Sequence, residues 1–222
     1  RDMPHARRNP CITLDLGKRT PTASQGSRGM ADIPPGQEDT YSGTARGFHW
    51  WTVAFVVLQV PLGIYMSYRG NVQGIFDATT NFLYSSHKTI GLIILFLVIA
   101  RLIYRIAHGA PRDEPTITSL QKGASHATHW LLYLLLLAVP ILGYLGVALY
   151  PSLGLFGVVD LPGLVAPNQD AAAKVFYYHF LGALALVLLV GVHVAGALFH
   201  YLIRKDGVLA RMLPGAGRRD VA

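Results

Sequence analysis

The chain has 222 residues, of which 52% are hydrophobic and only 14% are charged. A soluble domain usually carries about 25% charged residues, so this composition, gathered into long apolar runs, argues against a soluble protein and indicates a membrane protein. The formal net charge is +7, but the basic residues lie mainly beside apolar runs and form no aromatic-interleaved patch. We therefore expect a lipid bilayer and no nucleic acid as partner.

The two ends of the chain are polar. Residues 1–40 are rich in Pro, Gly, Ser, Thr and Arg, without an apolar period or a signal-peptide core, and are expected to be disordered. Met30 is a candidate natural start, in which case the preceding part is a tag or an over-extended frame. A polar tail is predicted for residues 216–222, which leaves residues 41–215 as the folded domain. The single cysteine, Cys11, excludes an intrachain disulfide, a Cys-rich zinc site and an iron–sulfur cluster.

Four apolar runs follow the N-terminal segment. Each is long enough to cross a membrane, because about 20 residues at a rise of about 1.5 Å span a hydrocarbon core of about 30 Å. Tyr and Trp residues gather near the ends of the runs, as in an aromatic belt. The expected fold is an all-α membrane protein, a four-transmembrane-helix bundle with a disordered N-terminal extension. The predicted helices cover residues 48–68, 84–106, 127–150 and 174–203.

Basic residues are concentrated on one side of the predicted bundle. The opposite side carries Arg69, Lys88 and Lys174. Positively charged loops face the cytoplasm, so we expect a multi-pass protein with both termini cytoplasmic and residues 151–170 as an outer loop. The basic side comprises Arg46, Arg101, Arg105, Arg112, Lys122, Arg204, Lys205, Arg211, Arg218 and Arg219.

Four of the nine histidines lie in the predicted spans: His49, His87, His179 and His193. A histidine in a span is costly and is a functional candidate, although a hydrogen-bonded histidine between helices is the alternative. His179 and His193 are 14 residues apart, so they share one helix face and lie about 21 Å apart along the axis. Matching depths pairs His49 with His193 on the cytoplasmic side and His87 with His179 on the outer side.

Two neutral imidazoles on facing helices can hold a haem iron at both axial positions. No C-x-x-C-H motif is present, so two noncovalent haem b groups are the expected cofactors. Zinc is the runner-up metal, but a four-coordinate site needs more ligands at one depth and carboxylates are absent from the spans. Glycines three or four residues after three of the histidines are expected to let a flat macrocycle approach the backbone; they are Gly91, Gly182 and Gly196.

Several other basic residues are candidate contacts of haem propionates or of a substrate. Arg101 and Arg105 are four residues apart and suit carboxylates, although positive-inside anchoring explains them equally. His126 and His129 begin the third run and either bind propionates or a substrate or merely cap a helix. Lys88 and Lys174 are candidates for drawing a small anion to the outer side, although simple anchoring explains them equally.

His200 is a competing ligand. It follows His193 by seven residues and therefore shares its face, so it is an alternative partner of His49. No G-x-S-x-G, P-loop or G-x-G-x-x-G motif suggests another chemistry.

Five segments together resemble the bacterial cytochrome b561 family, over residues 41–215. The 14-residue histidine interval and the closing K-D-G-x-L-x-R-M-x-P pattern are the specific parts. The segments are YSGTARGFHWW at 41–51, SSHKTIGLIIL at 85–95, ARLIYRIAHGAP at 100–111, SHATHWLLYLLLLAVPILGYLGV at 125–147 and YYHFLGALALVLLVGVHVAGALFHYLIRKDGVLARMLPG at 177–215.

The resemblance implies a dihaem four-helix protein of the bacterial cell inner membrane, with axial ligands at His49, His87, His179 and His193, and it favours His193 over His200. It implies electron exchange with ubiquinone and, because some members oxidise periplasmic superoxide, a superoxide:ubiquinone oxidoreductase activity. The alternative is a membrane-anchor cytochrome b that passes electrons between a soluble dehydrogenase or hydrogenase partner and the quinone pool. A haem-free structural or transport bundle is a third hypothesis.

Overall fold

The computed structural model describes residues 40–213 and contains four long helices. Apart from Thr40, the predicted N-terminal extension lies outside the described residues, as do the last two residues of the predicted domain and the tail 216–222. The helices are α1 (Gly43–Ser67), α2 (Ala78–His108), α3 (Ser119–Leu149) and α4 (Gln169–Phe199), and α1 and α4 are each prolonged by a π-helical turn, Tyr68–Val72 and His200–Arg204 respectively.

All four helices are long and apolar enough to cross a membrane, which confirms the predicted fold class. Each begins before its apolar run; α3, for example, begins at Ser119 and not at residue 127. The first turns are polar and are stabilised by a capping side chain, which hydropathy does not detect. The four N-caps are Ser42, Asp77, Thr118 and Asn168.

Proline lies within two of the helices, Pro61 in α1 and Pro140 in α3, and neither ends its helix. A glycine follows each proline closely, at Gly63 and Gly143. Both elements tolerate the missing backbone donor, as helices in a membrane bundle do.

The two ends of the bundle can be distinguished by their contacts. The Trp50 indole donates a hydrogen bond to the Met212 carbonyl (2.8 Å), which joins the start of α1 to the chain after α4. The Arg204 guanidinium donates to the Thr116 carbonyl (2.6 Å) in the α2–α3 connection. We call this the inner end and the opposite one the outer end.

The core lies at mid-height in the bundle. Its buried members come from α2, α3 and α4, and Phe55 and Val56 of α1 pack against them. The closest backbone packing is between helices consecutive in the chain, whereas α4 approaches α1 and α2 much less closely. The buried core residues are Ile94, Val98, Tyr133, Leu136 and Leu186.

A β-hairpin occupies the α3–α4 connection, where the sequence predicted only an outer loop. Strand β1 (Gly154–Leu155) pairs antiparallel with β2 (Val159–Asp160). The turn between them places Phe156 (φ 53°) and Gly157 (φ 70°) in the left-handed region, as a tight hairpin turn requires. The Phe156 amide donates to the Ser85 hydroxyl of α2 (3.0 Å), which fastens the hairpin to that helix.

Candidate functional site

The four span histidines meet in two pairs. The ring centroids of His49 on α1 and His193 on α4 lie 6.3 Å apart, with an angle of 71° between the ring planes. Those of His87 on α2 and His179 on α4 lie 6.2 Å apart, with an angle of 83°. These are the pairings that the depth argument predicted. The first pair lies toward the inner end and the second toward the outer end.

The separation within each pair fits a shared metal ion. Two imidazoles that bind one metal from opposite sides, each through a nitrogen about 2.0–2.1 Å from it, have centroids about 6.3–6.5 Å apart. The observed 6.3 and 6.2 Å agree with this spacing. Each pair also joins two helices whose backbones are not closely packed. The residues present therefore fit a flat group bound between two axial imidazoles.

Helix α4 supplies one histidine to each pair. Leu186 lies midway between His179 and His193 in the sequence and is buried in the apolar core. The two histidine pairs are therefore separated along α4 by the buried apolar core.

A hydrogen bond to a backbone carbonyl determines which ring nitrogen of His179 carries the proton. Its Nδ1 lies 2.8 Å from the Val139 carbonyl of α3. A carbonyl only accepts, so Nδ1 carries the hydrogen and the neutral ring presents an unprotonated Nε2, which is the form that binds a metal. A backbone contact of this kind also orients the ring.

Two other ring nitrogens are buried without a protein partner. They are the Nδ1 atoms of His49 and His87, and they have no hydrogen bond within residues 40–213. Buried polar atoms in proteins are almost always satisfied, so each such case calls for an explanation. A metal ion bound at this nitrogen, or a bound group that accepts its hydrogen, would supply the missing partner, and both pairs contain such a ring.

Two glycines, Gly63 and Gly143, lie against the rings of the outer histidine pair. The sequence analysis did not identify them. A Cβ added at Gly63 of α1 would lie 2.9 Å from the Cε1 atom of His87, and one at Gly143 of α3 would lie 3.1 Å from that of His179. Each ring therefore lies against bare backbone of a neighbouring helix. The only sequence signal was that Pro61 and Pro140 each precede one of these glycines closely.

The glycines chosen from the sequence have other neighbours. Gly91 faces the amide of Gln59 and Gly182 faces Val139, whereas Gly196 has open space around it. Gln59 is a further residue that the sequence analysis did not single out. Its amide nitrogen donates to the His87 carbonyl (2.9 Å), and its buried Oε1 has no partner in the described residues.

A cavity of about 280 Å³ opens at the inner end between α2 and α3. Arg105, His126 and His129 line it. Arg101 lines a smaller adjoining cavity together with Arg105 and His129, and its guanidinium lies 5.5 Å from the centroid of the Tyr133 ring. The predicted inner candidates therefore converge on one region.

The two histidines of α3 have different surroundings. The His129 ring lies 5.2 Å from that of His193, and its Nδ1 donates to the Ser125 carbonyl (2.6 Å). His126 lies farther out, where its Nε2 donates to Asp113 (3.3 Å). The hydrogen bond from Lys122 and a weaker one from His126 hold the pKa of the Asp113 carboxyl below its usual range. Of the two histidines on α3, His129 is therefore the one that lies beside the inner histidine pair.

Lys88 is engaged with the hairpin. Its ammonium donates to the Ser152 carbonyl (3.0 Å) and to the Gly154 carbonyl. Arg69, another outer basic residue, pairs with Asp77 (2.7 Å). Lys174 has an exposed side chain.

His200 contacts a carboxylate and not a second histidine. Its Nδ1 lies 2.6 Å from the Asp206 carboxylate, while the ring facing His49 across the bundle is that of His193. Among the described residues, no group of three or more His, Cys, Asp and Glu side chains could hold a metal ion such as four-coordinate zinc.

Comparison with known proteins agrees with this architecture. The family model described as "Prokaryotic cytochrome b561" matches residues 40–215. "Cytochrome b561 homolog 2" of Escherichia coli (strain K12) is 31% identical over 176 residues, which cover 79% of this chain and 92% of that protein.

Two further relatives carry other names. "Probable superoxide oxidase CybB" of Yersinia pestis is 28% identical over 178 residues, covering 78% of this chain and 96% of that protein. "Cytochrome b562" of Cereibacter sphaeroides is 31% identical over 182 residues, covering 80% and 97%. The chain therefore belongs to the prokaryotic cytochrome b561 family, whose members bind b-type haem and transfer electrons in membranes.

Proposed function

We propose that the chain is a dihaem cytochrome b that oxidises superoxide on the outer side of the bacterial inner membrane and reduces ubiquinone. His49 and His193 would hold the inner haem, and His87 and His179 would hold the outer haem. A b-type haem held by two histidines would supply one-electron transfer.

The observation that carries this proposal is the pair of matching histidine contacts at the two ends of the bundle. Each has the centroid spacing of two imidazoles on one metal, 6.3 and 6.2 Å. His179 and His193 are joined by one continuous helix. The two histidines lie about 21 Å apart along the axis of this helix, so two bound haems would share one rigid element.

The surrounding residues have distinct roles. Val139 holds the Nδ1 proton of His179 and leaves its Nε2 for the iron. At the inner end, Arg101, Arg105 and His129 border the cavities beside His193 and are suited to bind propionate carboxylates. His126, tied to Asp113, is the more distant candidate for a substrate or propionate contact.

The charge and stoichiometry of the reaction fit a one-electron carrier. Two superoxide ions each give up one electron and become dioxygen, while one ubiquinone takes up these two electrons and two protons to become the quinol. On the outer side the ammonium of Lys88 is held by the hairpin and that of Lys174 is exposed. Positive groups there raise the encounter rate of a small anion. The name of the Yersinia pestis relative supports superoxide as the donor.

Haem stoichiometry in single variants tests the ligand assignment. We expect about two b haems per wild-type chain in a pyridine haemochrome assay. Replacement of His87 or His179 by Leu should remove only the outer haem, and replacement of His49 or His193 only the inner haem. His108→Leu, which alters a histidine at the end of α2 outside both pairs, is the control. If His87→Leu removed the inner haem, the pairing would be wrong.

Stopped-flow spectroscopy tests the reaction. Superoxide should reduce the haems faster than the uncatalysed background, and added ubiquinone should reoxidise them. An absence of superoxide-driven reduction, combined with co-purification of a soluble dehydrogenase or hydrogenase, would instead identify a membrane-anchor cytochrome. An absence of b-type bands in the purified protein would overturn both functions and leave a haem-free bundle.

A further inference from the structure

The chain after α4 turns back across the inner end of the bundle. Residues 206–213, which we call the C-terminal strap, follow Lys205, whose left-handed backbone (φ 53°) ends the helix. The strap reaches the first turns of α1, where the Trp50 indole donates to the Met212 carbonyl (2.8 Å). The Arg46 guanidinium donates to the Leu213 carbonyl (3.2 Å). The strap therefore links the end of α4 with the start of α1.

The strap is also fastened to the α2–α3 connection. The Arg211 guanidinium lies 3.8 Å from the Glu114 carboxylate. Gly207 packs so closely on Glu114 that an added Cβ would lie 3.3 Å from a carboxylate oxygen. Two separate parts of the inner end, the start of α1 and the α2–α3 connection, thus contact a segment of eight residues.

A part-buried hydrogen-bonded pair, His200 and Asp206, lies where the strap begins. His200 Nδ1 donates to Oδ2 of Asp206 (2.6 Å), and Arg204 Nε lies 3.8 Å from the same oxygen. The Val208 amide donates to Oδ1 (3.2 Å), so both carboxylate oxygens are engaged. The Asp206 side chain is only 5% exposed and that of His200 15%. Burial raises the pKa of Asp206, but the hydrogen bonds from His200 and Val208 and the charge of Arg204 lower it below its usual range.

The strap lies over the region of the inner histidine pair. Met212 lines the smaller inner cavity, together with Arg101, Arg105 and His129. Trp50, the hydrogen-bond donor to Met212, lies next to His49. The centroids of the two rings are 5.4 Å apart. Movement of the strap would therefore both open this cavity and release a neighbour of His49.

We propose that the C-terminal strap forms the inner wall of the inner haem site and that the His200–Asp206 pair is the latch that keeps it closed. His200 is then a positioning residue that acts through Asp206 and the strap, and not an axial ligand. The wall part of this inference rests on the proposed function, whereas the latch part does not. It gives a role to Asp206, Gly207, Arg211 and Met212 of the K-D-G-x-L-x-R-M-x-P pattern.

Opening the strap has a predictable effect on the inner haem. Water that enters a haem site stabilises the more highly charged oxidised form, so the reduction potential falls. Removing one partner of the His200–Asp206 hydrogen bond leaves the other group part-buried without that bond, which favours the open strap. A break in the latch should thus lower the potential of the inner haem and leave that of the outer haem unchanged.

The test compares Asp206→Asn and His200→Gln with wild type in the full-length protein in membranes. Trypsin should cut after Arg211 about fivefold faster or more in both variants, because cleavage follows the population of the open strap. A spectroelectrochemical titration should show a lower potential for the inner haem alone, at unchanged haem content. Asp206→Glu, which keeps the carboxylate, should restore much of the protection.

The matched control is Asp77→Asn, the same chemical change at an ion-paired cap on the outer end. It should leave cleavage after Arg211 at the wild-type rate. Equal cleavage rates of Asp206→Asn and wild type would contradict the proposal that the His200–Asp206 pair keeps the strap closed. Faster cleavage without a change in the reduction potential of the inner haem would contradict the proposal that the strap forms a wall of that haem site. If the chain held no haem, the proposed function would fail, while the cleavage rates would still decide for or against the latch.

Discussion

Gly63 on α1 and Gly143 on α3 each face one ring of the outer histidine pair, His87 and His179 respectively. At the scale of single residues, these contacts set how close the neighbouring helices come to the rings. The inner pair has different neighbours: Trp50 lies beside His49 and His129 beside His193. The two pairs thus have similar internal spacing but different immediate surroundings.

A methyl group at Gly63 should disturb the outer site selectively. In Gly63→Ala the new Cβ would lie 2.9 Å from the Cε1 atom of His87, so the ring or α1 must shift. Overpacking of a tight contact disfavours the native arrangement. We expect the haem content to fall from about two toward about one per chain, with loss of the outer haem. The pyridine haemochrome assay measures it.

The matched control for this prediction is Gly47→Ala on the same helix, where an added Cβ meets nothing within 4 Å. It should retain the full haem content. Equal haem content in Gly63→Ala and Gly47→Ala would mean that the close approach of Gly63 to His87 does not matter for binding.

The four paired histidines could be predicted from the sequence. The glycines that contact the outer pair, Gly63 and Gly143, could not. Ionisable residues in apolar runs stand out, and the interval between His179 and His193 places both on one face of a helix. Gly63 and Gly143 act on histidines of other helices. The rotation of each helix about its own axis decides which of its faces contacts a histidine. A helix that is apolar on all sides gives little sequence information about this rotation.

At the scale of elements, the hairpin β1–β2 is fixed to one face of α2. Phe82, Ser85 and Lys88 are spaced by three residues and all contact the hairpin region. The sequence predicted an irregular loop here, because strands of two residues are too short to show alternation. It also placed the helix starts too late, since the polar capped turns lie outside the apolar runs that define a span.

Loss of the Lys88 ammonium should loosen the hairpin. In Lys88→Met the carbonyls of Ser152 and Gly154 lose a charged donor, and such a bond contributes about 1.5 kcal/mol or more. Hydrogen–deuterium exchange of the amides in residues 153–161 should become about tenfold faster. The exposed Lys174→Met on the same side is the control and should leave this exchange unchanged. Unchanged exchange in Lys88→Met would show that Ser85 and Phe82 suffice to hold the hairpin.

At the scale of the whole molecule, the order of helices was predictable and their packing only in part. Apolar runs separated by polar segments predict four antiparallel spans, and residues 40–213 contain four helices long and apolar enough to be these spans. The depths of the histidines then predict which ones meet, because antiparallel helices bring the start of α1 to the level of the end of α4. The strap was not predicted: its contacts join residues such as Trp50 and Met212, which are far apart in the sequence.

The lone cysteine offers a direct test of orientation. Cys11 precedes α1 and should be cytoplasmic if the inner end faces the cytoplasm. A membrane-impermeant maleimide should therefore fail to label the protein in intact spheroplasts and label it after lysis. Cys11→Ser should abolish the signal in both samples. Labelling in intact spheroplasts would reverse the assignment of the two sides.

The 14-residue interval between His179 and His193 limits how this chain can change in length during evolution. One inserted residue in α4 would turn one histidine by about 100° relative to the other. Even a seven-residue insertion, which nearly restores the face, would move them about 10 Å farther apart. His49 and His87, on two other helices, could not follow. Insertions and deletions should therefore be tolerated in the connections and at the ends, whereas the segment between the two histidines should accept substitutions only.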